Sequence, residues 1–147
     1  MKNILTAIDF SDRAQSVVKA AAELARTDGA HLWLVHVAAP DPDFVGYDAG
    51  PAHVRDDRAE RLHREHKTLQ ESARWLRDAG IEVTPLLVQG HTVETLNKLA
   101  DKHKADAIVV GSHGHSTLHK WVVGSVTESL LKSATRPILV VPPPKKP

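Results

Sequence analysis

Five short runs of aliphatic and β-branched residues punctuate the chain: ILTAI (4–8), HLWLVHVA (31–38), IEVTPLLV (81–88), AIVV (107–110) and ILVV (138–141). Each has the length of a strand and is bounded by polar or turn-forming residues, so the pattern predicts five β-strands. Between the runs the apolar period changes to three and four. Ala14, Val17, Val18, Ala21, Leu24 and Ala25 mark a first helix, with Ser11 placed to cap it and Gly29 to stop it. Ala59, Leu62, His66, Leu69, Ala73 and Leu76 run as a second stripe toward Gly80. Val93, Leu96, Leu99 and Ala100 give a shorter third helix, and Leu130, Leu131 and Ala134 a fourth, closed by Pro137.

Strands that alternate with helices join in parallel, and near-continuous apolar strands such as AIVV suit a sheet covered on both faces. The predicted fold is an α/β, Rossmann-like, open doubly wound five-stranded parallel sheet in the order 3-2-1-4-5, with helices on both faces. Such sheets take ligands beyond the carboxyl ends of their strands, at the switch point, here between strands one and four. The residues just past those strands are Asp9 and Gly111. One domain over 1–147 is expected, with 39–54, rich in proline and glycine, as a mobile loop and 142–147 as a frayed tail.

The stretch GSHGHSTLHKWVVGS (111–125) places three unevenly spaced glycines where strand four ends. Gly111 lacks a Cβ and lets a ligand approach the backbone, and Gly114 can turn the chain through a positive φ. Gly124 and Ser125 open the last helix, whose first N–H groups suit phosphate oxygens. The arch between Gly114 and Gly124 can form a second anion nest from its own amides. Simpler readings stand beside these. Ser125-Val126-Thr127-Glu128 is a capping box that starts a helix with or without a ligand, and Asp9 can serve only to neutralise the next helix's N-terminus. His113, His115 and His119 resemble a metal-ligand spacing, but with no cysteine, and no acidic residue in the stretch, a solvated loop is the better reading. His66 reads as packed on its stripe, Trp33 and Trp75 as core or helix-face residues, and Trp121 as a residue that either folds over the site or props the arch.

With these residues in place the sequence resembles the universal stress protein family, in its nucleotide-binding branch. The branch's signature, G-x2-G-x9-G followed by Ser or Thr, matches Gly111, Gly114, Gly124 and Ser125, and the resemblance extends to ILTAIDFSDRA at the start and RPILVV near the end. The resemblance implies a site for ATP or AMP, with magnesium as a companion of ATP. Asp9 would lie near ribose and phosphates, Ala7 and Ile8 would line the pocket, and the backbone of Val37 would read adenine. Gly111, Ser112, His113, Gly114, His115 and Ser116, with Gly124, Ser125, Val126 and Thr127, would cradle phosphate and ribose. His113 stands where the family often has arginine, and a neutral imidazole holds phosphate more weakly than a guanidinium.

The rest of the composition narrows the alternatives. Nineteen basic and eighteen acidic residues nearly cancel, which gives no electrostatic reason to expect nucleic acid or acidic lipid as a partner. There is no cysteine, no apolar run of about 18 residues, and no room for a signal-peptide core before Asp9, so a cytoplasmic location is expected. The P-loop G-x4-G-K-S/T, the dinucleotide G-x-G-x-x-G after strand one and the nucleophile elbow G-x-S-x-G are all missing. A nucleotide-binding regulatory protein is the favoured reading, ahead of a slow ATPase or phosphotransferase on the same site and of a ligand-free dimeric module. If the last strand lies at the sheet edge, Ile138, Leu139, Val140 and Val141 invite a homodimer, which the resemblance also implies.

Overall fold

A computed structural model describes residues 1–39, 52–112 and 123–145, without the side chain of Ala52. Its elements are β1 (Asn3–Ala7), α1 (Ala14–Asp28), β2 (His31–Ala38), α2 (Ala52–Asp78), β3 (Val83–Gln89), α3 (Thr92–Lys102), β4 (Ala107–Gly111), α4 (Ser125–Ser133) and β5 (Ile138–Val141). The strands form one sheet in the order β3-β2-β1-β4-β5, every pairing parallel. This is the predicted order.

The apolar stripes account for the two layers. On one face Ile4, Leu32 and Leu34 pack against Val17, Val18 and Ala21 of α1 and Leu69, Ala73 and Leu76 of α2. On the other, Leu5, Val35 and Ile108 meet Leu96 and Ala100 of α3 and Leu130 of α4. Alternate strand residues supply the two faces, as the pleat requires. Gly29 ends α1 at φ 65°, where it costs no steric strain and its N–H reaches the Ala25 carbonyl.

Several local expectations change. α2 begins at Ala52, so 52–54 belong to a helix rather than to the expected loop; the rest of the loop from 40 on lies outside the described residues. His66 is exposed, because the buried stripe of α2 passes through Glu65, which faces His36. Trp75 keeps one of its two expected places, on a helix face, and is exposed there. The cap position of α1 falls on Arg13, and Ser11 instead accepts the Arg13 N–H at 3.4 Å.

The capping box also does not form. The N-cap of α4 is Gly124, extended at φ −60°, ψ 154°, with no side-chain cap bond. Ser125 therefore already sits in the first turn, one residue too late to cap. Glu128 pairs forward with Lys132 at 2.9 Å.

Candidate functional site

β1 and β4 are neighbours, while the helices that follow them lie on opposite faces of the sheet. The chain therefore parts above their carboxyl ends, and a cavity of about 520 Å³ opens there. Ligand cavities commonly fall between about 300 and 1,000 Å³. Of the residues singled out from sequence, Ala7, Ile8, Asp9, Val37, Gly111, Gly124, Ser125, Val126 and Thr127 line it. Ser112 stands directly behind this wall: its N–H donates to Val141 O at 2.9 Å, and its carbonyl accepts the Gly124 N–H at 2.7 Å. His113, Gly114, His115 and Ser116 lie outside the described residues, as do His119 and Trp121.

Two short segments shape the walls. After β1, the Ile8 N–H still donates to Val35 O at 2.9 Å, and the chain then turns sharply at Phe10, whose φ is 61°. A bulky residue in that region is uncommon and needs support from its surroundings. The support is visible on both sides of the turn. The Phe10 ring packs on that of His36 with centroids 4.2 Å apart, and Asp9 Oδ1 accepts the Ser11 N–H at 3.0 Å. His36 is itself fixed, with Nδ1 2.8 Å from Ile8 O and Nε2 3.5 Å from Glu65 Oε2. Asp9 thus stands on a braced turn, with Oδ2 given no donor by the described residues.

The opposite wall is the start of α4. Thr127 is buried and its hydroxyl donates to Gly111 O at 2.8 Å, which ties the helix to the end of β4. The first intrahelical bond runs from Glu128 N–H to Gly124 O at 2.9 Å. The N–H groups of Ser125, Val126 and Thr127 precede it and have no intrahelical acceptor. Gly124 at the cap has no side chain of its own to bond them. They leave a partial positive charge at the cavity.

The cavity also takes in residues the sequence reading missed, among them Arg13, His36 and Thr92. The available signal was positional: in a parallel sheet every helix starts above the carboxyl ends of the strands, so the openings of α1 and α3 face the same side as that of α4. Among the described residues no group of three or more His, Asp or Glu side chains is arranged to hold a metal ion. No described helix is long and apolar enough to cross a membrane.

Comparisons with known proteins agree on the lineage. The universal stress protein A homolog 1 of Coxiella burnetii is 35% identical over 147 residues, with 95% of each chain covered. The MJ0577 protein of Methanocaldococcus jannaschii superposes with a TM-score of 0.78 at 26% identity, covering 99% of this chain and 98% of its own. A universal stress protein from Archaeoglobus fulgidus, solved in complex with dAMP, superposes at 0.69 with 25% identity over 96% and 98% of the two chains. The universal stress protein family's sequence model matches residues 1–142, and the chain belongs to that family.

Proposed function

We propose that the protein binds an adenine nucleotide, ATP or AMP, in the cavity between β1 and β4 and acts through its nucleotide-dependent state rather than through fast catalysis. The observation that carries this reading is the opening of α4: a helix with no side-chain cap, preceded by glycine, at the wall of a nucleotide-sized cavity. The spacing Gly111, Gly114, Gly124, Ser125 supports placement in the nucleotide-binding branch. The dAMP complex of the Archaeoglobus relative supports the adenine class.

In this reading the amides of α4's first turn hold phosphate, together with Gly114 and its neighbours in the arch. Asp9 accepts hydrogen bonds from ribose hydroxyls. Val37, at the end of β2, meets the base. When ATP is the ligand, its magnesium meets Asp9, the one carboxylate among the described lining residues. A homodimer paired through β5 completes the proposal, because β5 is an edge strand whose Leu139 is exposed.

Mass spectrometry of the supernatant from freshly purified, denatured protein tests the ligand class. An adenine nucleotide in amounts comparable to the protein is expected. A different nucleotide or cofactor in that amount would overturn the assignment.

A further inference from the structure

Arg13 occupies the N-cap position of α1, where short polar residues that accept hydrogen bonds are preferred. A cation there faces the positive end of the helix macrodipole, and the first turn of α1 holds no acidic residue to offset it. Arg13 lines the cavity described above, yet its Nη1 is buried without a hydrogen-bond acceptor among the described residues. Asp9 and Asp12 lie just before it in the chain, yet among the described residues no ion pair to Arg13 is found; Asp9 accepts the Ser11 N–H. Burying part of a guanidinium with no acceptor is unfavourable. Among the described residues three unfavourable features thus meet at one side chain: the helix end, the buried donor and the lack of a paired counter-charge.

A polyanion in the cavity would relieve all three. We infer that Arg13 is a specificity residue for the charge of the ligand, donating from its guanidinium to phosphate and setting a preference for nucleotides over nucleosides. The inference rests on the nucleotide reading above and adds to it a second anion contact, on the α1 side of the cavity, that is independent of the glycine arch and of α4. Guanidinium is suited to this role because its donors are fixed in a plane and its charge does not titrate.

The test compares wild type with Arg13→Gln and Arg13→Lys, using calorimetry with ATP and with adenosine, and thermal unfolding without ligand. In Arg13→Gln, ATP affinity is expected to fall about tenfold or more while adenosine affinity stays within about twofold, the scale of one charge-assisted hydrogen bond. Arg13→Lys should recover part of the loss. The ligand-free melting temperature of Arg13→Gln should equal or exceed that of wild type, since a buried guanidinium donor without an acceptor has been removed. Undiminished ATP affinity in Arg13→Gln would overturn the inference. So would an equal loss for ATP and adenosine, which would place the effect in cavity shape, or a lowered melting temperature, which would make Arg13 a structural residue. A wild-type protein that binds no ATP would overturn the nucleotide reading itself and this inference with it, so the two failures are told apart by the wild-type titration.

Discussion

The backbone N–H of Gly124 donates to the carbonyl oxygen of Ser112 at 2.7 Å, drawing the start of α4 against the end of β4. This bond puts the glycine, rather than Ser125, at the cap and leaves the helix end open toward the cavity. Because Gly124 has a φ of −60°, valine can take the same backbone conformation without strain. Gly124→Val should therefore fold, losing about 1 kcal/mol or less as a poorer cap, a few degrees of melting temperature. Its branched side chain would stand where phosphate should approach, so ATP affinity should drop at least about tenfold. Wild-type affinity in this variant would remove phosphate from the opening of α4.

His103 at the end of α3 stacks on Trp33, with ring centroids 3.7 Å apart and planes 22° from parallel. Burial, with the charges of Lys102 and His31 adding to it, lowers the His103 pKa below its ordinary value of 6.5. The folded state thus binds this proton less readily than the unfolded chain. The stabilisation is complete above pH 6.5 and is lost as pH falls through the lowered value. Between pH 7.5 and 5.5 wild type should lose more melting temperature than His103→Phe, which keeps a ring on Trp33 and removes the titration. Equal losses would show that His103 does not couple to folding.

The β5 edge can be tested by solution mass. Ile138 and Val140 pack toward the core, whereas Leu139 is 43% exposed, which makes it the side chain to change. Wild type is expected at the dimer mass and Leu139→Lys at the monomer mass, because a lysine on the edge discourages strand pairing. A wild-type monomer, or a dimer unaffected by the substitution, would exclude this interface.

The strands were legible because each is a short, mainly apolar run bounded by polar or turn-forming residues, and their alternation with helices, with turns at Gly29 and Gly80, made the sheet parallel. What the sequence concealed was decided by single contacts. His66 and Glu65 are equally compatible with a three-and-four stripe, and the choice between them rests on His36, some thirty residues away on β2. Ser125 and Glu128 spell a capping box, but a backbone bond to Ser112 shifts the cap by one residue. Arg13 carried no signal of its own in the sequence beyond its place between β1 and the first apolar stripe. The enclosed position of its Nη1, with no acceptor among the described residues, distinguishes it.

Turnover should be slow. The described lining residues include Asp9 as a carboxylate but no lysine to clamp terminal phosphates. ATP hydrolysis is expected below about 1 s⁻¹, the lower end of ordinary enzyme rates. Sustained turnover above that rate, retained through purification and abolished in Asp9→Asn, would make the protein an enzyme.

The central claim, an adenine-nucleotide site between β1 and β4, is tested most directly by calorimetric titration of the nucleotide-free protein with ATP and GTP under identical conditions. The account predicts stoichiometric ATP binding at least about tenfold tighter than GTP, a difference of about 1.4 kcal/mol. No binding at millimolar ATP, or equal affinity for the two nucleotides, would contradict it.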